Sequence, residues 1–348
     1  MKLNRSILFA AFASLLFGSN YLMGQPRMGK GGMGQSGMKG MTQNLEAPSD
    51  NPITPEKVEL GKQLYFDGRL SKDLTISCNS CHNSNLGGTD NKQFSTGVAG
   101  ALGVRNAPTV WNAGFHGVQF WDGRAKSLEE QAKGPLVNPV EMAMPNYDAV
   151  AERIQKIPGY VSQFDRVFGK KSVNIENIVK AIATYERTLI SRNSKFDNFR
   201  FVDKGALNDE EFEGFRTFRQ VGCTECHRGP DFAGPPMLSR GEGFFQKMVR
   251  FPNDLLVKKY KLLEDNGRFD VTKQESDRNV FRVPSLRNVE KTAPYFHNGS
   301  VATLSETVRT CAKLANNRDL NDGETKALVA FLDTLTGEVP EQKPPKLP

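Results

Sequence analysis

The sequence has little of what a membrane span, a disordered chain or a nucleic-acid binder requires. Its apolar run from Ile7 to Phe17 is 11 residues long before Gly18, Ser19 and Asn20 interrupt it, well short of the roughly 20 needed to cross a bilayer. The net charge is +7 over 348 residues, but residues 1–47 hold +4 of it and leave only +3 for the remainder. A body so near neutral is no obvious nucleic-acid binder. With 38% hydrophobic and 24% charged residues, the composition is that of a globular protein, which excludes disordered and collagen-like classes. Strand signals are scarce. Length alone suggests about two domains. Cysteine is limited to five positions and histidine to four, so where they fall carries most of the information.

Lys2 and Arg5 precede the short apolar run, and small and polar residues follow it. This is the pattern of a secretory signal peptide over residues 1–24, which implies a periplasmic or other extracytoplasmic protein with no membrane span after cleavage. The A-x-A cleavage pattern is absent. Gln25 to Met41 holds six Gly and four Met, so residues 25–46 read as a flexible tether. A Met-rich segment suited to Cu(I) is the alternative. Residues 339–348, rich in proline, read as a disordered tail.

Four of the five cysteines form two C-x-x-C-H motifs: Cys78, Cys81 and His82, and Cys223, Cys226 and His227. This is the spacing of covalent haem c attachment. Both thiols add to haem vinyl groups, and the adjacent imidazole is placed against the iron as proximal ligand. Zinc is the main alternative; a thioredoxin-like pair would not need the histidine twice.

A helix signal precedes each motif at a comparable distance. Thr54-Pro55-Glu56 opens one helix carrying Leu60, Gly61 and Leu64; Asn208 to Glu211 forms a capping box ahead of Phe212, Gly214, Phe215 and Phe218. Helical periodicity recurs at Ile175, Ile178, Ile182 and Leu189, and at Leu328, Phe331 and Leu335. The expected fold is mainly α: two cytochrome-c-like domains, 47–203 and 204–338, each with one covalent haem c and long connecting loops.

Several long segments resemble the bacterial dihaem cytochrome c peroxidases and their MauG-type relatives. They are FDGRLSKDLTISCNSCHN (66–83), RNAPTVWNAGFHGVQFWDGRA (105–125), LEEQAKGPLVNPVEM (128–142), ERTLISRNSKFD (186–197) and VPSLRNVEKTAPYFHNGSVATL (283–304). The resemblance implies that 47–203 is the peroxidatic domain and 204–338 the electron-transfer domain. It implies that Glu141 is the distal acid–base residue, moving a proton between the two oxygens of peroxide, and that Gln131 holds peroxide or water by its amide. Read alone, these would be a loop carboxylate and an exposed helix position. It further implies that Trp121 lies between the haems and passes electrons, that Asn106, Thr292 and Pro294 bind a Ca2+ ion through oxygen atoms, and that a c-type cytochrome or other small redox protein donates electrons. Members are often dimers; no residue here locates an interface.

Two departures from the family pattern stand out. Sixteen residues after His82, where the usual peroxidases carry a histidine that ligates the peroxidatic iron until reduction releases it, this chain has Val98. Valine cannot ligate iron, so the first haem is expected to be open even when fully oxidised. His116 is the spare imidazole nearby and reads as structural or outer-pocket. Fourteen residues after His297, where the second haem usually takes a methionine ligand, stands Cys311. A Thr303-x-x-Glu306 capping box opens its helix and places Leu304, Val308, Cys311 and Ala315 on one inward face. Iron ligation by Cys311 is the expectation, with an unligated cysteine or a replacement ligand as alternatives. Three functions follow as candidates: a periplasmic hydrogen-peroxide reductase, a MauG-like oxidase of another protein or small molecule, and a dihaem electron carrier or redox sensor without turnover.

Overall fold

The helix starts follow from the capping residues in the sequence. In the computed structural model, which describes residues 45, 47–235 and 240–348, the Thr54 hydroxyl accepts from Lys57 N at 3.3 Å and Pro55 occupies the first turn, opening α1 (Pro55–Phe66). The signal peptide and nearly all of the tether lie outside the described residues. Asn208 and Glu211 cap each other's backbone N–H groups at 2.9 and 2.8 Å to open α8 (Asp209–Gln220), and Asn321 with Glu324 repeats the arrangement for α12 (Asp322–Asp333). The remaining helices are α2 (Cys78–Cys81), α3 (Leu128–Val137), α4 (Tyr147–Gln155), α5 (Pro158–Phe168), α6 (Ile175–Glu186), α7 (Lys195–Phe201), α9 (Leu255–Lys259), α10 (Phe269–Thr272) and α11 (Leu304–Asn316). One antiparallel ladder, β1 (Phe245–Gln246) against β2 (Phe281–Arg282), is the only sheet among the described residues.

Two apolar cores organise these helices. The first gathers Leu60, Leu64 and Tyr65 of α1 with Ile178 and Ile182 of α6, helped by α4 and α5. The second gathers Phe218 of α8 with Leu328 and Phe331 of α12, ringed by Phe196 and Phe232. The change of core falls between Leu189 and Phe196, upstream of the 203/204 boundary expected from the motifs, because α7 turns Phe196 toward Phe215 and Phe331. Residues 339–348, expected to be disordered, instead lie along the first half: Gln342 exchanges hydrogen bonds with Asn85 and accepts from Tyr185, and Arg69 donates to the Pro348 carbonyl. A proline-rich chain has no ladder to form, so its polar groups pair with neighbouring side chains.

The same device sets the helix crossing in both halves. A Cβ on Gly61 would lie 1.9 Å from the Ala181 carbonyl oxygen, and one on Gly214 would lie 1.8 Å from that of Ala327. α1 and α6, like α8 and α12, therefore touch backbone to backbone at a glycine. Gly214→Val is expected to cost at or above ~3 kcal/mol, the upper end of overpacking penalties. Denaturant unfolding checks this; a variant with wild-type stability would show that the crossing tolerates a side chain.

Candidate active site

Each C-x-x-C-H motif lies on a single turn whose histidine is fixed from behind. Ser77 and Ser80 box the start of α2, the Cys78 carbonyl accepts from His82 N at 2.9 Å, and Tyr65 donates to the His82 carbonyl at 2.6 Å. The His82 Nδ1 donates to the Pro108 carbonyl at 3.0 Å. The second motif repeats this: His227 N donates to the Cys223 carbonyl at 2.9 Å and His227 Nδ1 to the Phe232 carbonyl at 2.9 Å. A backbone acceptor on Nδ1 fixes the tautomer and orients the ring of a metal-binding histidine, with Nε2 left as the ligand atom. Burial lowers the pKa of both rings, so each is the neutral imidazole that ligation needs.

Each motif lines its own cavity. The first, about 880 Å³, is bounded by Cys81 and His82 and, from other elements, by Trp121, Gln131, Asn138, Glu141 and Glu186. The second is bounded by Cys223, Cys226, His227, Cys311 and Met248. Burial pushes the Cys81 thiol up to about 11 and that of Cys223 to about 12. Among the described residues no three His, Cys, Asp or Glu side chains converge as a metal site. The second cavity is lined by both motif thiols and the backbone-anchored imidazole, and the first by Cys81 and His82, with Cys78 packed against the first core; these donors suit a covalently held haem.

The sequence-expected distal residues meet at the first cavity. Gln131, on α3, and Glu141, in the loop beyond it, are both half-buried and both line it. Asn138 Nδ2 donates to Glu141 Oε1 at 2.7 Å, while burial raises the carboxyl above its ordinary range, opposed by Arg124 and by this hydrogen bond. Val98 is buried and its N–H donates to the Glu141 carbonyl at 2.9 Å, docking the loop against the distal segment. Gly97 permits this: a Cβ there would lie 2.1 Å from the Val140 carbonyl oxygen.

Trp121 lines both cavities, with Nε1 donating to the Asn106 carbonyl at 2.9 Å. Asn106 also lines both, while Thr292 and Pro294 line the second. Asn106 spends Nδ2 on the Lys92 carbonyl at 2.8 Å, which leaves Oδ1 as the atom a hard cation would take. His116 lines the second cavity rather than the first, between Asp231 at 3.3 Å and Arg282 at 2.6 Å.

On α11, Cys311 and Ala315 line the second cavity while Leu304 and Val308 pack against the second core. The capping box at its start is half made. Thr303 accepts from Glu306 N at 3.2 Å, but the Glu306 carboxylate is taken by Lys259 and the Tyr260 hydroxyl.

Three residues escaped the sequence reading as site residues. Met248 brings a thioether to the second cavity from the chain after β1. His297, used there only as a point to count from, lines both cavities, and burial drives its pKa down to about 4. Glu186 lines the first cavity with Oε2 unpartnered, and burial pushes its carboxyl up to about 8. No spacing marks any of them. Glu186 has a measurable consequence: with a folded pKa near 8 against an ordinary 4.5, the folded state holds a proton that the unfolded chain has released between those values. Its contribution therefore becomes increasingly unfavourable as pH rises through that window. Glu186→Gln is expected to raise Tm at pH 8.5 and leave it nearly unchanged at pH 4. An equal shift at both pH values would refute the buried neutral acid.

Two cytochrome-like cores, each with a C-x-x-C-H motif lining its own cavity and with Trp121 lining both cavities, define a dihaem redox protein, and comparison with known proteins places it further. A family described as di-haem cytochrome c peroxidase matches residues 55–205. The cytochrome c551 peroxidase of Nitrosomonas europaea is 48% identical, over 85% of each chain; that of Pseudomonas aeruginosa is 41% identical, over 85% of this chain and 83% of that one. Among solved structures, a MauG-like protein associated with microbial copper homeostasis superposes with a TM-score of 0.74 at 30% identity, covering 84% of this chain and 93% of the other. The chain belongs to the dihaem cytochrome c peroxidase and MauG family, and it is an oxidoreductase of the cytochrome c peroxidase type.

Proposed function

We propose that the protein reduces hydrogen peroxide to water, H2O2 + 2 H+ + 2 e− → 2 H2O, in the periplasm or another extracytoplasmic compartment, with electrons from a c-type cytochrome or similar small redox protein. The observation that carries this is the convergence of Gln131 and Glu141 on the cavity of His82, with Trp121 lining that cavity and the neighbouring one. Cys78, Cys81 and His82 would hold the peroxidatic haem, and Cys223, Cys226 and His227 the electron-transfer haem, with Cys311 as its second ligand. The haems supply iron that exchanges electrons with peroxide and with the donor. Gln131 orients peroxide; Glu141, held by Asn138, moves the proton. Trp121 carries electrons across the wall, and Asn106, Thr292 and Pro294 would hold Ca2+ beside it.

Val98 offers the first haem no ligand, so turnover should need no prior reduction. Stopped-flow absorbance of the fully oxidised protein, mixed with hydrogen peroxide and a reduced c-type cytochrome, tests this. Immediate oxidation of the cytochrome supports the reading; oxidation only after pre-reduction defeats the open site. The MauG-like oxidase is the second reading, favoured by the absence of a methionine at position 311 and by the MauG-like structural relative. It gains if peroxide changes the haem spectrum while the cytochrome stays reduced. A protein indifferent to peroxide would be an electron carrier.

A further inference from the structure

The wall between the two cavities contains an unexplained polar pair. Residues 106–109, Trp121 and His297 line both sides, and the other side-chain donors along this wall are already committed. Trp121 Nε1 donates to the Asn106 carbonyl, Asn106 Nδ2 to the Lys92 carbonyl and Thr109 Oγ1 to the Gly87 carbonyl. The neighbouring Arg105 spends its guanidinium on Asp122 and Asp265. His297 and Ser300 differ: both line the first cavity, and His297 Nε2 and Ser300 Oγ are buried without a hydrogen-bond partner. His297 is only 5% exposed.

Both sit on one tight turn whose geometry is fixed from several directions. Tyr295 bridges Val301 across it, the His297 carbonyl accepts from Asn106 N at 2.8 Å, and Asn298 Nδ2 donates to the Tyr260 carbonyl at 2.9 Å. Phe281 stacks on the imidazole at 4.1 Å and 14°, while Trp121 meets it edge-on at 6.5 Å. A close approach at Gly299, whose Cβ would fall 2.8 Å from the Gln93 carbonyl oxygen, presses the turn against the first half. Two buried, unpartnered polar atoms lining one cavity call for a partner, and with its Nε2 protonated His297 joins the Ser300 hydroxyl as a donor that an acceptor would satisfy. The haem periphery supplies two carboxylates, its propionates.

We propose that His297 Nε2 and Ser300 Oγ together hold a propionate of the first haem, so that a turn of the second half grips the cofactor of the first beside Trp121. This rests on the haem placement above. It makes His297 and Ser300 positioning residues: they set the charge felt by the first haem and hold its edge against the tryptophan. Losing a donor leaves the carboxylate charge less compensated, which favours the oxidised iron and lowers its potential.

The test uses the holoprotein and variants His297→Phe, His297→Gln and Ser300→Ala, the last a small change that spares the fold. Pyridine haemochrome on the wild type must first give two haems per chain; fewer defeats the haem placement itself, independently of this proposal. Resonance Raman propionate-bending bands and spectroelectrochemical midpoints of each haem are then read. The expected result is a shifted band and a lower midpoint for the first haem in His297→Phe and in Ser300→Ala, recovery in His297→Gln, and no change at the second haem. An unmoved first-haem band in Ser300→Ala and His297→Phe, or shifts confined to the second haem, would overturn the proposal. Neither readout depends on peroxide turnover.

Discussion

Glu141→Gln is expected to lower peroxide turnover by about 10²- to 10⁴-fold, the range that general acid–base catalysis commonly contributes, while both haems remain attached. The substitution keeps the side chain's shape, and the Gln carbonyl oxygen can still accept from Asn138 Nδ2, which now donates to Glu141 Oε1 at 2.7 Å. Only the ability to take and return a proton is lost. Gln131→Ala should be milder, because an amide positions peroxide without exchanging protons with it. Turnover measured beside haem content separates the two effects. Wild-type turnover in Glu141→Gln would remove the residue from the chemistry. Because burial raises the Glu141 carboxyl above its ordinary range, the wild-type rate should carry a titration above the normal carboxylate region, and the Gln variant should lack it.

Much of this site was legible in the sequence because the motifs that carry it are defined by local spacing. C-x-x-C-H needs five consecutive residues, and the caps at Thr54 and Asn208 need only four. Local rules of that kind survive folding intact. The glycines at 61 and 214 were visible too, though their purpose became clear only once Ala181 and Ala327 were placed against them. Gln131, Glu141 and Trp121 were legible only through the family resemblance, and what escaped was set by other distant partners. Glu306 had the right spacing to close a capping box, but a lysine 47 residues upstream and a tyrosine 46 residues upstream compete for its carboxylate. Phe196 precedes the expected boundary, yet aromatic packing draws it into the second core. Glu186 looks like an ordinary helix-end acid beside an arginine. Arg187 instead pairs with Glu129 at 2.7 Å, and Glu186 Oε2 has no partner. Periodicity predicts which face of a helix is buried, not which cavity that face meets.

Cys311→Met is expected to raise the reduction potential of the second haem by on the order of a few hundred mV, within the ~0.8 V that axial ligands span. A thiolate donates electron density and stabilises oxidised iron, whereas a thioether favours the reduced state. Burial, with smaller contributions from Cys223 and Cys226, pushes the Cys311 thiol up to about 12, so ligation requires the iron to displace its proton. The affinity of that site should accordingly weaken as pH falls, with the potential rising. Met248 makes the experiment decisive, because it places a neutral thioether on the same cavity from the chain after β1, a segment tied to α11 by Arg250 N donating to the Leu314 carbonyl at 2.9 Å. If Met248 were the ligand, Met248→Leu would drop the potential sharply while Cys311→Ala and Cys311→Met left it unchanged. If Cys311 is the ligand, the pattern reverses: both Cys311 variants shift the potential upward, and Met248→Leu has little effect. Measured against the donor's potential, the result also bears on function. A low-potential second haem gives up electrons readily but is filled only by a strongly reducing donor, whereas a methionine-ligated haem accepts them from an ordinary c-type cytochrome.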